Sequence, residues 1–441
     1  MTHDMTKGRL LPILIRFTIP LILGNLLQLT YNAVDSIIVG RFVGSGALAA
    51  VGTGNPLITL FMLFEQGICL GAGVLIGTMY GAKDYDRLKR QISTGLIAGM
   101  VFSAVVSLLV ILAAPQLLTL LRIHPSILGE AVAYLRLIAL GMIFNFLYNY
   151  FAATLRALGD SRSALYFLSV SAALNIAGDL FFVVVLRMGV HGAALSTVIS
   201  EALAGLLCWL YVQKKIPLLQ LGREWLNFDA GLLKLTLSYG FVTAMQQSAV
   251  QLGKVGVQGL VNTLGVASAA AYSAGIRADD YAMIVEQNIA HAMTSVMAQN
   301  RGAGLQDRVR KSFQYGMMLE AGYGILSGIV FYAAARPLIG LFSTDPEVIQ
   351  IGTQYIRMMA FMYILPAATN GIQGYFRGMG DLKITLVSSI INMGVRVAAA
   401  APMILYFHMG LEAIPWACLL GWVGMMVYEI PFLIRRKLVQ K

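Results

Sequence analysis

Four polar side chains recur at helical spacing in an otherwise apolar stretch near the amino terminus. They follow one another at steps of three, four and three residues: Asn25, Gln28, Asn32 and Asp35. Residues at these steps share one face of a helix. Much later in the chain, Asn175 and Asp179 stand one turn apart, and Thr197 follows in the next apolar segment. Polar and ionisable groups in such surroundings are costly and are usually functional.

The carboxylates in the apolar segments of the amino-terminal half, residues 1–213, have no Lys or Arg at a similar depth in those segments. They are Asp35, Glu65, Asp179 and Glu201. A buried carboxylate has to be neutralised by a proton or by a cation. We therefore predict that Asp35 and Asp179 take up H⁺ or Na⁺, and we rank Glu65 and Glu201 behind them.

The other half carries charges of both signs in its apolar segments. Lys254, Arg277 and Arg396 are offset by three acidic residues, namely Asp279, Asp280 and Glu286. This balance predicts fixed ion pairs, because an unpaired charge at that depth is costly. A second polar stripe runs at steps of four, three and four: Gln247, Gln251, Lys254 and Gln258. We expect it to line a cavity wall opposite Asp35.

The composition predicts that membrane-spanning helices hold these residues. Of 441 residues 58% are hydrophobic and 12% are charged, and the mean hydropathy is +0.74. Apolar stretches of about 20 residues or more are long enough to cross a bilayer as helices, which satisfy their own backbone groups in lipid. We predict an all-α polytopic membrane protein with twelve spans, near residues 12–40, 47–79, 93–114, 131–153, 163–186, 190–212, 233–260, 267–299, 314–335, 352–375, 384–406 and 412–434.

The basic residues indicate the orientation in the membrane. Most of the 32 Lys and Arg fall in the amino terminus, the even-to-odd loops and the carboxyl terminus, which is the asymmetry of the positive-inside rule. Both termini are therefore predicted to be cytoplasmic, and the net charge of +11 favours anionic lipid over nucleic acid. The start, MTHDMTKGRLLP, lacks a cleavage pattern and favours a mature amino terminus. At about 1.5 Å per residue, Asp35, Asp179 and Thr197 all fall in the outer half of the bilayer and can converge.

The chain repeats itself without a gap at an offset of 221 residues. The matched pairs include Glu65 with Glu286, Tyr134 with Tyr355, Arg156 with Arg377, Asp160 with Asp381 and Gly189 with Gly410. Each half holds six spans, so the second half starts on the same side and a pseudo-twofold axis along the membrane normal is predicted, with substrate between the halves. We expect six-helix lobes at residues 1–213 and 231–441, joined by a cytoplasmic linker at 214–230.

One repeated turn reads LRALGDSR at residues 155–162 and FRGMGDLK at 376–383. Its Gly permits backbone angles that other residues resist, and its Asp can cap the helix that follows. We interpret each copy as a connection between the fourth and fifth spans of its half. It is not expected to be a catalytic site.

These residues resemble the multidrug and toxic compound extrusion (MATE) transporters over essentially the whole chain. The similarity rests on LTYNAVDSIIVGRFVG, on the loops GAKDYDRLKR and QNRGAGLQDRVRK, and on the repeated turn. The resemblance implies an ion site in the amino-terminal lobe, whose motif positions are Asp35, Asn175, Asp179 and Thr197 and which could hold Na⁺. Some branches also use an acidic residue on the seventh helix, where this chain has Gln246 and Gln247.

The resulting functional prediction is a secondary active antiporter. The chain has no GxxxxGK[ST] phosphate loop and no soluble region large enough for a nucleotide-binding domain. An ion gradient would then drive export of small amphipathic or cationic organic compounds in exchange for H⁺ or Na⁺. The alternative is a flippase for lipid-linked precursors or polysaccharides, which Lys254, Arg277 and Arg396 would favour. A channel or receptor suits the two halves less well, and an enzyme has no support because His291 lacks paired ligands or a nucleophile.

Several further expectations follow from this interpretation. We expect no cofactor apart from the coupling ion, no nucleic-acid partner, contact with membrane lipids, and a monomeric multi-pass protein of the cell membrane. The residues expected to line the substrate cavity are Gln28, Tyr31, Asn32, Gln247, Gln251, Lys254, Arg277 and Asp280.

Overall fold

The computed structural model describes residues 4–121, 123–220 and 227–439, and within these ranges the chain is helical without a β-strand. The apolar runs form helices because lipid leaves the backbone no partner outside its own helix. The helices are α1 (Leu10–Phe42), α2 (Ser45–Gly81), α3 (Tyr85–Leu120), α4 (Pro125–Ala157), α5 (Ser161–Asp179), α6 (Gly189–Lys215), α7 (Ala230–Asn262), α8 (Val266–Gly302), α9 (Gln306–Gly340), α10 (Pro346–Ala360), α11 (Ile364–Gly378), α12 (Leu382–Leu405) and α13 (Ala413–Val439).

The lengths and compositions of the helices are those of a multi-pass membrane protein. Among the described residues, nine helices are long and apolar enough to cross a membrane. Helices α7 and α8 are as long, at 33 and 37 residues, but are not among these nine. The predicted all-α membrane class is therefore confirmed, whereas the count of twelve spans and the pseudo-twofold axis stay predictions.

The predicted span at residues 352–375 consists of two helices, because the helix is interrupted between Ala360 and Ile364. Pro366 in the first turn of α11 has no N–H, and its ring crowds the carbonyl four residues back. The turn tightens instead, and the Leu365 N–H donates to the Met362 oxygen at 2.8 Å. The position equivalent to Pro366 in the first half is Asn145, and there α4 continues unbroken to Ala157.

The predicted span at residues 163–186 also changes its character before it ends. Helix α5 ends at Asp179, and a π-helical turn, Leu180–Val185, follows directly. Such turns are rare and occur often at functional sites. The irregularity therefore begins directly after a carboxylate that the sequence already singles out.

The chain divides into two compact units whose boundaries lie inside helices. Unit 1 contains Ile19–Ala244, and unit 2 contains Met5–Thr18 together with Met245–Lys441. Helices α1 and α7 therefore each contribute residues to both units. The division into lobes at residues 1–213 and 231–441 stays a prediction. Within the expected linker, α6 runs to Lys215 and a short 3₁₀ turn follows at Pro217–Leu219; residues 221–226 lie outside the described residues.

Unit 1 packs around α4, which contacts α2, α3 and α6. Its largest buried side chains include Phe146, Tyr150 and Phe151 of α4. The beginning of α7 is fixed to the same unit, since Gln91 Nε2 donates to Thr236 Oγ1 at 2.7 Å. This contact joins α3 to the first turns of α7.

Unit 2 packs around α8, which contacts α9, α10 and α11, while α12 pairs with α13. The amino-terminal segment before α1 is anchored to this unit. The Met5 N–H donates to Gln299 Oε1 at 3.0 Å, and the Met5 oxygen accepts from Asn300 Nδ2 at 3.2 Å and from Arg308 Nη2 at 3.1 Å. Arg308 also donates to the Gly8 oxygen at 2.9 Å.

The two copies of the repeated turn share their backbone but use Asp differently. Gly159 and Gly380 have φ values of 87° and 77°, which favour glycine. Asp160 caps α5 as predicted, accepting from the Ser163 N–H at 3.0 Å. For Asp381 the capping prediction is wrong: within the described part of the chain its side chain makes no cap bond and accepts instead from Arg436 Nη2 at 2.6 Å.

Candidate functional site

Helices α5 and α6 bring together two of the side chains that the sequence places in the ion site. Asn175 Nδ2 donates to Thr197 Oγ1 at 3.3 Å and to Ser196 Oγ at 3.4 Å. The helices can approach here because Gly178 has no side chain: a Cβ at this position would lie 2.5 Å from Ser196 Oγ. The α5–α6 pair thus forms one wall of neutral oxygens.

Two carboxylates complete the group within unit 1. Asp179 is 0% exposed, and the carboxyl group of Asp35 on α1 lies beside it. Among the described residues, both oxygens of Asp179, Oδ1 of Asp35 and Oδ1 of Asn175 are buried without a hydrogen-bond partner. Unsatisfied buried acceptors are rare in folded proteins. A group with several such acceptors can accept a proton or coordinate a small cation.

Ser196 is a member of this group that the sequence interpretation missed. It is 2% exposed, and its Oγ donates to the Asn175 backbone oxygen at 2.7 Å. It therefore holds the end of α5 against α6. Its position directly before Thr197 was the only signal in the sequence, and Ser is too common in membrane helices for that signal to single it out.

Glu65 and Glu201 form a second acidic pair in unit 1. Glu201 accepts from Asn145 Nδ2 at 2.6 Å, and Asn145 accepts in turn from Asn149. Glu65 is 1% exposed, and its Oε1 has no partner in the residues that the structure describes. Glu201 thus accepts a hydrogen bond, whereas Oε1 of Glu65 has none among the described residues.

The ion-site residues are not repeated in the second half of the chain. At the offset of 221 residues, Asp35 corresponds to Gly256, Asp179 to Ala400 and Thr197 to Cys418. The group is therefore found in unit 1 and has no counterpart at the matched positions of unit 2.

The residues predicted to line a substrate cavity lie in both units and are mostly exposed. In unit 1, Gln28 and Asn32 are exposed and Tyr31 is half-buried. In unit 2, Gln247 and Gln251 are exposed on α7. Their role as cavity residues stays a prediction.

The predicted pairing of cations in unit 2 holds for one residue of three. Lys254 Nζ lies 3.5 Å from Asp280 Oδ1. Arg277 and Arg396 rest on aromatic rings instead, 6.0 Å from the centre of Phe342 and 5.2 Å from that of Trp422. No carboxylate within the described ranges lies at ion-pair distance from either guanidinium. The pairing prediction is wrong for these two because an aromatic face also stabilises a cation.

Unit 2 also contains buried acids that the charge balance of the sequence left out. Glu320 on α9 and Glu429 on α13 are both 0% exposed. Asp279 is buried too, but it accepts hydrogen bonds from the hydroxyls of Tyr355 and Tyr363. The three-against-three balance therefore does not describe the interior of this unit.

Comparison with known proteins places the chain among transporters. The family model MatE matches residues 20–181 and 242–401. YoeA of Bacillus subtilis (strain 168), named a probable multidrug resistance protein, is 30% identical over 394 residues, which cover 87% of this chain and 85% of the relative. NorM of Thermotoga maritima, also named a probable multidrug resistance protein, is 25% identical over 424 residues, covering 94% and 88%.

The fold of the chain is found in solved structures as well. A structure described as the outward-facing conformation of a multidrug resistance MATE family transporter matches with a TM-score of 0.92 at 20% identity, covering 99% of this chain and 98% of that chain. The chain belongs to the MatE family of membrane transporters, and the family predicted from its motifs is confirmed.

Proposed function

We propose that the protein is a secondary active antiporter that exports small amphipathic or cationic organic compounds in exchange for H⁺ or Na⁺. Relatives that cover most of the chain are named multidrug resistance proteins, which supports this substrate class. The observation that carries the exchange is the set of unpartnered buried acceptors around Asp35 and Asp179. These groups need a positive charge that the described part of unit 1 does not supply at ion-pair distance.

The proposed ion site uses two carboxylates and neutral oxygens. A proton would sit on Asp35 or Asp179, while Na⁺ would add the side-chain oxygens of Asn175 and Thr197. Both ions relieve the repulsion between the carboxylates. The helices α1, α5 and α6 can then adopt an arrangement that two bare carboxylates oppose.

Exchange follows if ion and substrate favour different arrangements of the same helices. A ligand shifts an equilibrium only by its difference in affinity for the two states. Ion binding from the outside therefore lowers substrate affinity, and substrate binding from the inside lowers ion affinity by the same factor. The two ligands need not touch to compete.

A small organic substrate is favoured over a lipid pyrophosphate. A flippase would require free cations to hold phosphate groups. Lys254 is balanced by Asp280, and the relatives that cover most of the chain are named multidrug resistance proteins. We place the protein in the cell membrane as a monomer with both termini in the cytoplasm.

The test is transport in proteoliposomes with an imposed Na⁺ or proton gradient. Asp35→Asn and Asp179→Asn keep the shape of the side chain but remove the titratable charge. We expect both variants to fold and to insert into the membrane normally, but to lose gradient-driven export. For comparison, coupled sites typically change affinity about 5–150-fold.

The matched control is Asp86→Asn in the first turn of α3, an exposed position, which should export at the wild-type rate. If both Asp→Asn variants exported substrate as well as the wild type under either gradient, the proposed site would be wrong. Glu201 and Glu286 would then be the next residues to test.

A further inference from the structure

Three buried charged residues of unit 2 lie outside the proposed ion site and form a group of their own. Glu320 on α9, Arg377 on α11 and Glu429 on α13 are 0%, 9% and 0% exposed. The charge of Arg377 interacts with both carboxylates. We call these three residues the unit 2 cluster.

The packing around the cluster is tight on both sides. A Cβ at Gly371 would lie 3.3 Å from Glu320 Cγ, so Glu320 rests on α11 two turns before Arg377. Side chains tilt toward the start of their helix, which aims Arg377 back toward this level. Gln373 and Ser388 lie beside Glu429.

The polar atoms of the cluster are not satisfied by the described residues. Both oxygens of Glu320, both oxygens of Glu429, and Nε and Nη2 of Arg377 are buried without a hydrogen-bond partner. The nearby amide of Gln373 is shared, since its side chain lies beside Glu429 and its Nε2 also donates to Ser389 Oγ at 3.1 Å. Two carboxylates against one guanidinium leave one negative charge uncompensated.

The repeat shows that the fold does not require these acids. At the offset of 221 residues, Arg377 corresponds to Arg156, but Glu320 corresponds to Gly99 and Glu429 to Cys208. In unit 1 the space beside Gly99 is filled by the ring of Phe146, and Cys208 is fully buried. The same helices thus pack with no acid at either position, and the two carboxylates are an addition specific to unit 2.

We propose that the unit 2 cluster binds one proton, which Glu320 and Glu429 share. The proton is transferred from hydronium, which leaves water, to a carboxylate oxygen, and it brings the cluster from one negative charge to neutrality. A proton suits the site better than Na⁺, because the buried charge of Arg377, which interacts with both acids, repels a metal ion. Glu286 on α8 also lies near Glu320.

This inference goes beyond the proposed antiport and does not depend on it, since the cluster shares no residue with the site around Asp35 and Asp179. The test is infrared spectroscopy of the purified full-length protein, following the carbonyl band of protonated carboxyl groups near neutral pH. Glu320→Gln and Glu429→Gln should each remove the same band, because the remaining acid then forms a neutral pair with Arg377. Arg377→Gln should instead add a second band, since both acids then need a proton.

The control is Glu412→Gln, an exposed acid, which should leave the spectrum unchanged. The double variant Asp35→Asn, Asp179→Asn should keep the cluster band, so failure of the antiport proposal would not affect this result. Size-exclusion profiles identify any variant that fails to fold. If one of Glu320→Gln, Glu429→Gln and Arg377→Gln does not fold, the remaining two still test the proposal. A band that persists in a folded Glu→Gln variant, or that Na⁺ removes from the wild type at fixed pH, would overturn the proposal.

Discussion

Single residues give equivalent helix positions different electrostatic roles in the two units. Asn175 corresponds to Arg396, and Glu201 corresponds to Trp422. Unit 2 therefore stacks a guanidinium on an indole at positions where unit 1 holds an amide and a carboxylate. Positions matched by the repeat therefore carry different charges in the two units.

Lys254 offers a test of substrate choice at the scale of one residue. Its pair with Asp280 is about half exposed, at 45% and 53%, and exposed pairs are worth about 0–1 kcal/mol. Lys254→Gln should therefore leave thermal stability nearly unchanged. It should free the charge of Asp280 and raise transport of a cationic dye relative to a neutral one, measured in the same vesicles.

Lys311→Gln, which removes an exposed cation near the start of α9, is the control for net charge. We expect it to leave the ratio of the two dyes as in the wild type. An unchanged ratio in Lys254→Gln as well would exclude Lys254 and Asp280 from substrate selection.

Part of the proposed ion site could be predicted from spacing alone. Asn175 and Asp179 stand one turn apart, so any helix places them on one face, and the contact with Thr197 followed from depth. Glu320 and Glu429 could not be placed in the same way, because each is a single acid in an apolar helix. Only the packing of α9, α11 and α13 shows that they face one guanidinium.

At the scale of helices, glycines set how closely neighbours approach. A Cβ at Gly67 of α2 would lie 2.5 Å from the backbone oxygen of Gly240 of α7, and one at Gly71 would lie 2.8 Å from Tyr239 Cβ. Small residues allow such contacts between membrane helices. The first turns of α7 are therefore held in unit 1 by contact that a methyl group would prevent.

Gly67→Ala should accordingly destabilise the protein. Alanine favours a helix over glycine by about 1 kcal/mol, but inserting an atom into a packed contact costs about 1–3 kcal/mol, and here the obstructing atom is backbone. We expect a lower melting temperature in detergent, measured by intrinsic fluorescence.

Gly259→Ala is the matched control, since Gly259 also lies inside α7 and no described atom comes within 4 Å of its added Cβ. This variant gains the helix preference without the clash and should melt at the wild-type temperature or above it. Equal melting temperatures for the two variants would contradict the close approach of α2 and α7.

The helix boundaries show which parts of the fold the sequence determines locally. The apolar runs predicted the long helices, because their length and composition suffice. The break between α10 and α11 had a signal in Pro366, but a proline in a membrane helix can also be accommodated by a kink. The assignment of Met5–Thr18 to unit 2 depends on contacts between residues hundreds of positions apart, such as Met5 and Gln299. No local sequence pattern predicts such contacts.

At the scale of the whole molecule, the proposed orientation can be tested with introduced cysteines. The native Cys69, Cys208 and Cys418 are buried, so they should react little with an impermeant maleimide. In intact cells Thr344→Cys, between α9 and α10, should be labelled from outside. Asp307→Cys, at the start of α9, should be labelled only after the cells are opened.

Both replaced positions are exposed, so accessibility is equal and only the side of the membrane differs. Labelling of Asp307→Cys in intact cells, with protection of Thr344→Cys, would mean that the orientation is inverted. The native cysteines should remain unlabelled in both variants, because labelling at these buried positions would indicate unfolding.

The anchoring of Met5 to α8 and α9 has a consequence for biosynthesis. Met5 is translated 294 residues before its hydrogen-bond partner Gln299. At roughly 5–20 residues per second, the segment waits about 15–60 s for that partner to leave the ribosome. The amino-terminal segment can therefore dock only after α8 and the first turn of α9 have been made.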